Sequence, residues 1–197
     1  MPSPLGELLG ALARVFERLA VRWYVFGAQA AIVHGAARLT GDVDVTVELG
    51  GLAPSALVAA LQEAGFAPRA ADLDGFVERT RVVPLVHVGS AMPVDIVLAG
   101  PGLEELFLQR ARQHIVEGVA IPVACPEDIV AMKILAGRPK DLDDVVAILA
   151  GCQGAAGDDA IRIAMIRDTL GLLEQALAQS DLIPAFEQAQ ARARAGQ

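Results

Sequence analysis

The sequence predicts an α+β fold, a helix-flanked β-sheet followed by a helical C-terminal part, on three observations. Short runs of β-branched and aromatic residues alternate with helical spacings up to residue 125, whereas only helical spacing follows from 126 onwards. The segment Asp42-Val43-Asp44-Val45-Thr46-Val47-Glu48 alternates strictly, so its valines share one face of a strand and Asp42, Asp44 and Thr46 share the other. The expected division is a sheet-containing core over 1–125 and a helical part over 126–197 packed on it.

Each element follows from local pattern. Leu5, Leu8, Leu9, Leu12, Val15, Phe16 and Leu19 recur at helical spacing, which predicts an amphipathic helix over 5–20. Trp23-Tyr24-Val25-Phe26 reads as a buried strand stopped by Gly27, with a short Ala-rich helix over 28–36 directly after it. The alternating strand covers 42–48 and a helix covers 54–65. Shorter strands are expected over 75–79, 82–88 and 93–98, then a helix over 102–112 and a strand over 119–124. Pro126 suits the first turn of a helix over 126–136, and helices over 140–150, 158–178 and 182–194 complete the chain. Gly151 to Gly157 is the most linker-like stretch, and the Ala/Arg/Gln tail after 187 is expected to fray.

Bulk properties narrow the function classes. The 197 residues suffice for one domain with an appended helical part, and 54% hydrophobic against 20% charged residues is a globular balance. A formal charge of −8 repels nucleic acid and anionic membrane surfaces. Arg110-Arg112 and Arg192-Arg194 are too sparse for a nucleic-acid surface. Cys125 and Cys152 form no CxxC pair and read as buried thiols of a reducing compartment. The first residues have no basic n-region, and no apolar stretch reaches about 20 residues. A cytoplasmic protein without membrane contact is expected.

The chemistry concentrates in carboxylates. Two aspartates at i and i+2 on one strand point the same way and repel unless a cation or solvent separates them, so Asp42 and Asp44 are either a metal pair or a solvated strand face. Asp95, inside Pro93-Val94-Asp95-Ile96-Val97-Leu98, is a third carboxylate in an apolar strand, where an unpaired charge is costly. Upstream, Gly27-Ala28 joins a strand to a helix start, where backbone N–H groups favour a phosphate. Hard oxygen ligands beside a phosphate cradle suit Mg2+.

These residues resemble the DNA polymerase β-like nucleotidyltransferase superfamily and, within it, the minimal nucleotidyltransferases related to the AbiEii abortive-infection toxins. The matching strings are Phe26-Gly27-Ala28-Gln29-Ala30, His34-Gly35, Arg38-Leu39-Thr40-Gly41-Asp42-Val43-Asp44 and Val94-Asp95-Ile96. Pro126 to Lys133 and Arg138-Pro139-Lys140-Asp141-Leu142-Asp143-Asp144-Val145 extend the likeness. The resemblance implies a nucleotidyltransferase-like mixed β-sheet and transfer of an NMP from an NTP, such as ATP, to an acceptor hydroxyl on a small molecule, protein or RNA. It implies that Asp42, Asp44 and Asp95 hold Mg2+, with Mn2+ as an alternative, and that Asp95 helps accept the proton of the attacking hydroxyl. Gly27 and Ala28 would cradle phosphates, with Arg38 and Thr40 beside the nucleotide. Arg38 would either neutralise phosphate or hold Asp42 or Asp44. Lys133 would face the triphosphate, oriented with the nucleotide by Asp141 and Asp144. Where relatives often carry Gly or Ser, this chain has Ala28, which leaves only backbone donors at that position. A role as toxin of a toxin–antitoxin or phage-defence module, with a cognate antitoxin or other protein partner, follows from the same likeness.

Plainer readings stand beside these. His34 is either a packed or capping residue or a ligand, while His87 reads as half-exposed and His114 has no supporting constellation. Lys133, among Ile129, Val130, Met132, Ile134 and Leu135, could equally snorkel from an apolar helix. Asp141 and Asp144 could be a solvated helix start, and Glu127-Asp128 simply suits the dipole of a first helical turn. The alternative function is a non-catalytic nucleotide-binding or partner-binding module with a degenerate site.

Overall fold

Val43, Val45 and Val47 are fully buried, which makes β2 (Val43–Glu48) the strand on which the sheet is built. The computed structural model describes residues 3–37, 39–152 and 161–195. β2 pairs antiparallel with β1 (Arg22–Phe26) and parallel with β5 (Met92–Leu98). On the far side of β5 lie β4 (Val82–His87) and β3 (Phe66–Pro68), and β7 (Val119–Val123) and β6 (Arg112–Val116) extend the sheet beyond β1. The order is β3-β4-β5-β2-β1-β7-β6, a mixed sheet, so the class is α+β.

The described residues fall into two compact units, one of 1–29 with 40–124 and one of 30–39 with 125–197. Residues 30–37 and 39 are grouped with the helical unit.

In the first unit, α1 (Pro4–Arg18) begins at Ser3, whose hydroxyl accepts from Gly6 N at 3.0 Å, with Pro4 at the first helical position. Its Leu8, Leu9, Leu12, Val15 and Phe16 are buried, and α1 packs on β5 and β7. Each such side chain contributes about 1.5–3 kcal/mol by leaving water. α3 (Pro54–Glu63), α4 (Leu73–Thr80) and α5 (Leu103–Arg110) complete this unit, into which the first residues of α2 (Gly27–Val33) also fall.

The sheet region departs from sequence expectation in three places. Residues 75–79, expected as a strand, lie in α4, because Asp72 caps the helix through Gly75 N at 3.0 Å and Leu73, Phe76 and Val77 share a helical face. α5 stops at Arg110, and 112–116 form β6 against β7 instead of extending the helix. The three-residue β3 carries too short a pattern to be read in advance.

The second unit is helical, built from α6 (Pro126–Ala136), α7 (Pro139–Gly151), α8 (Ile163–Leu177), α9 (Leu182–Ala195) and the later residues of α2. Gly137, left-handed at φ 63°, ends α6 by giving its N–H to Lys133 O at 3.0 Å, and Pro139 opens α7 two residues later. The expected helix 182–194 is α9, and it carries most of the tail expected to fray, with Phe186, Ala189 and Ala193 buried on one face against α7 and α8. The start of the expected helix 158–178 and most of the expected linker to Gly157 lie outside the described residues. Among the described residues no helix is long and apolar enough to cross a membrane.

Candidate active site

Strand register assembles the carboxylates of the first unit. Asp44 on β2 is the Cα partner of Asp95 on β5, and on its other side Asp44 pairs with Phe26, the last residue of β1. One row across the sheet thus carries Asp95, Asp44 and the turn that follows Phe26. Exposure falls along the polar side of β2, from exposed Asp42 through half-buried Asp44 to buried Thr46, so the carboxylates sit at the rim where strand gives way to solvent.

Gly27 explains itself in this row. Its φ is +66°, a backbone state side chains disfavour, and a Cβ placed there would lie 2.0 Å from Asp44 Oδ2. Only a glycine lets the β1–α2 turn pass under the Asp44 carboxylate. Ala28 and Gln29 follow in the first turn of α2, where N–H groups have no intrahelical acceptor.

Asp42 lies just before β2 and accepts a hydrogen bond from the Thr40 hydroxyl. Among the described residues no three carboxylate, imidazole or thiol groups are gathered closely enough to hold a cation. Arg38 lies outside the described residues.

Asp95 is 37% exposed at its side chain and paired, contrary to the expectation of a carboxylate embedded in apolar strand. Its Oδ1 accepts from Arg69 Nη2, while Arg69 Nε donates to Leu85 O at 2.9 Å. Sequence reading missed Arg69. It stands one residue past the short β3, with no motif around it, and only the sheet order brings it to Asp95.

In the second unit, Lys133, Asp141 and Asp144 form a buried ion cluster. Lys133 Nζ donates to Asp144 Oδ2 at 2.6 Å and to Asp141 Oδ1 at 3.2 Å, and the three side chains are only 7%, 8% and 2% exposed respectively when taken as Lys133, Asp144 and Asp141. Arg138 Nε adds a bond of 2.5 Å to Asp141 Oδ2. This excludes both the snorkelling lysine and the solvated helix start. The helix break at Gly137 folds α7 back so that its first two turns face the last turn of α6, and Asp141 and Asp144 at i and i+3 share the facing side. Burial pushes the Asp141 carboxyl up, but bonds from Arg138 and Lys133 outweigh it and hold the group below its ordinary value.

Two further pairs brace this unit. Glu127 Oε1 accepts from both the backbone N–H and Nε of Arg162, at 3.0 and 2.9 Å, which ties the start of α8 to the first turn of α6. Glu127 is raised by burial yet ends below its ordinary value through these bonds. Cys125 Sγ donates to Asp128 Oδ2 at 3.1 Å, and burial together with that carboxylate pushes the thiol up, so it stays protonated.

The histidines hold no common site. His34 and His114 are half-buried. His87 is buried rather than half-exposed, its ring tilted at 50° to that of Phe66 with centroids 5.0 Å apart and Nδ1 2.8 Å from the Ser90 hydroxyl, and burial lowers its pKa.

With this geometry in place, comparison with known proteins decides the family. The profile of the family described as "Nucleotidyl transferase AbiEii toxin, Type IV TA system" matches residues 10–196. The chain belongs to the AbiEii family. No curated protein matches it. Solved structures share the nucleotidyltransferase-like fold of this AbiEii chain. An antigenic nucleotidyltransferase-like protein from Paracoccidioides brasiliensis superposes with TM-score 0.55 at 18% identity, covering 95% of each chain. The antibiotic-resistance factor ANT(2'')-Ia gives 0.57 at 12% identity over 87% of this chain and 91% of its own. The lincosamide antibiotic adenylyltransferase LnuA, solved with lincomycin, gives 0.52 at 14% identity over 75% and 98%.

Proposed function

We propose that this AbiEii-family chain transfers a nucleoside monophosphate from an NTP to an acceptor hydroxyl in a reaction dependent on a divalent cation. The observation that carries the reading is the register pairing of Asp44 with Asp95 beside a glycine whose missing Cβ makes room for the Asp44 carboxylate. The donor set fits Mg2+, which takes one or two carboxylates and completes its shell with substrate phosphate oxygens. Asp44 and Asp95 would hold it, and Asp42 would join them by giving up the Thr40 hydroxyl. When bound, the cation stabilises charge on the attacking and leaving oxygens.

The chain's own groups supply the rest. The first-turn N–H groups after Gly27 receive the phosphates, and Thr40 and Arg38 are assigned to the nucleotide from the family pattern. The acceptor oxygen attacks the α-phosphorus, the bond to the β-phosphate oxygen breaks, pyrophosphate leaves, and Asp95 takes the acceptor's proton. Lys133, Asp141 and Asp144 are assigned to the nucleotide on family pattern as well. Family membership supports a toxin countered by a cognate antitoxin. The names of the two antibiotic-directed neighbours support a small-molecule hydroxyl as one acceptor class to assay beside protein and RNA ends.

The test is Mg2+-dependent binding and turnover of each of the four labelled NTPs, comparing the native chain with an Asp42→Ala/Asp44→Ala variant. Pyrophosphate release or self-labelling by the native chain alone is expected. Binding without turnover in every acceptor mixture would favour a nucleotide-binding module, and absence of cation-dependent binding in both forms would overturn the proposal.

A further inference from the structure

We infer that Arg69 is a positioning residue for the proposed reaction, acting through Asp95, and this inference rests on the function proposed above. Arg69 directly follows β3, and its N–H donates to Pro84 O at 2.9 Å. Its Nε donates to Leu85 O, also at 2.9 Å, so backbone and guanidinium are both fastened to β4. Pro84 is the register partner of Asp95, and Asp95 that of Asp44. The arginine therefore lies in the same row across the sheet as the two carboxylates, reaching over β4 to give Nη2 to Asp95 Oδ1.

Three consequences follow from this geometry. The Nε bond to a backbone carbonyl fixes the plane of the guanidinium, so Nη2 is aimed before any ligand arrives. With Oδ1 held by Arg69, Oδ2 is the Asp95 oxygen that would serve a cation, in an orientation the arginine sets. The guanidinium also offsets the charge of Asp95, which lessens its repulsion with its register neighbour Asp44. Lysine could reach the carboxylate but could not hold Leu85 O in the same planar fork.

The experiment titrates Mn2+ against the full chain, reading the free ion by electron paramagnetic resonance, for native, Arg69→Gln, Arg69→Lys, Asp95→Asn and the Arg69→Gln/Asp95→Asn double variant. Outer partners of metal ligands are worth about 10- to 100-fold, so Arg69→Gln is expected to weaken Mn2+ binding by about 10-fold or more. Arg69→Lys should recover part of that loss, and the double variant should bind like Asp95→Asn alone, because the two residues act as a unit. Unchanged or tighter binding in Arg69→Gln would overturn the role, since the arginine would then be only a repelling charge. A full Arg69→Gln loss persisting on the Asp95→Asn background would overturn it too, because the effect would not pass through Asp95. A native chain that binds no Mn2+ would bring down the proposed function together with this inference, whereas native binding with an indifferent Arg69→Gln variant removes Arg69 alone.

Discussion

The carboxylate row of the first unit and the ion cluster of the second use the same residue types to opposite ends. Asp44 and Asp95 stand side by side at the rim of a sheet, half-buried, with Arg69 on one oxygen of Asp95. Asp141 and Asp144 are buried and answered by Lys133 and Arg138 at hydrogen-bond distance. Under the proposed function the carboxylates at the accessible edge would receive a cation, while those in the interior hold their lysine in place. The first arrangement would serve chemistry, and the second must be complete or it costs more than it contributes.

Substitutions should separate the two regions. Asp44→Asn is expected to lower NTP turnover by about 100-fold or more, as for loss of a major electrostatic group. Its thermal unfolding should stay within about 0.5 kcal/mol of native, because the substitution is isosteric at a half-buried position on the sheet rim. Lys133→Ala should show its effect in calorimetry or urea unfolding, destabilising by about 3–5 kcal/mol, since it leaves buried carboxylates without their shared cation. A Lys133→Ala chain as stable as native would place that cluster with the exposed, replaceable charges and dissolve the contrast.

Acid sharpens the comparison at a smaller scale. Asp141 and Glu127 are held below their ordinary values of 3.8 and 4.5. Groups with lowered folded values add stability above the unfolded value and lose it as pH falls through the folded one. Unfolding followed by circular dichroism should therefore be nearly level on their account above about pH 5 and should decline below about pH 4, with Glu127→Gln flattening part of that decline. The smallest effect is expected from Arg192→Ala. Its ion pair with Asp143, at 2.9 Å, joins side chains 57% and 68% exposed, and its loss should cost less than about 0.5 kcal/mol in the same measurement.

Much of the site was legible because its signals are local. The alternation of 42–48 put Asp42 and Asp44 on one side, and the strand ending at Gly27 announced a turn before a helix. The helix 126–136 was read at its observed limits, since Pro126 and Gly137 punctuate it in the sequence. Short or doubly interpretable stretches were not legible. Phe76-Val77 fits a strand until Asp72 is seen to cap a helix, and three residues of β3 have no period to detect. Arg69 carries no motif, and the burial of His87 depends on Phe66 folding over it. The Ala-rich tail looked frayed because alanine gives little local signal, yet Ala189 and Ala193 allow α9 to approach its neighbours closely.

By itself, the sequence determined which residues form strands and helices wherever a period of two or near 3.6 ran long enough, where the glycine turn falls, and which acidic residues share a strand side. These are consequences of backbone geometry acting over a few residues. Only the tertiary structure decided that Asp95 lies beside Asp44, that Arg69 reaches both β4 and Asp95, and that Lys133 is enclosed by Asp141 and Asp144. Strand order and helix reversal join residues far apart in the chain, and the cost of burying or crowding charge is set by those neighbours rather than by sequence position.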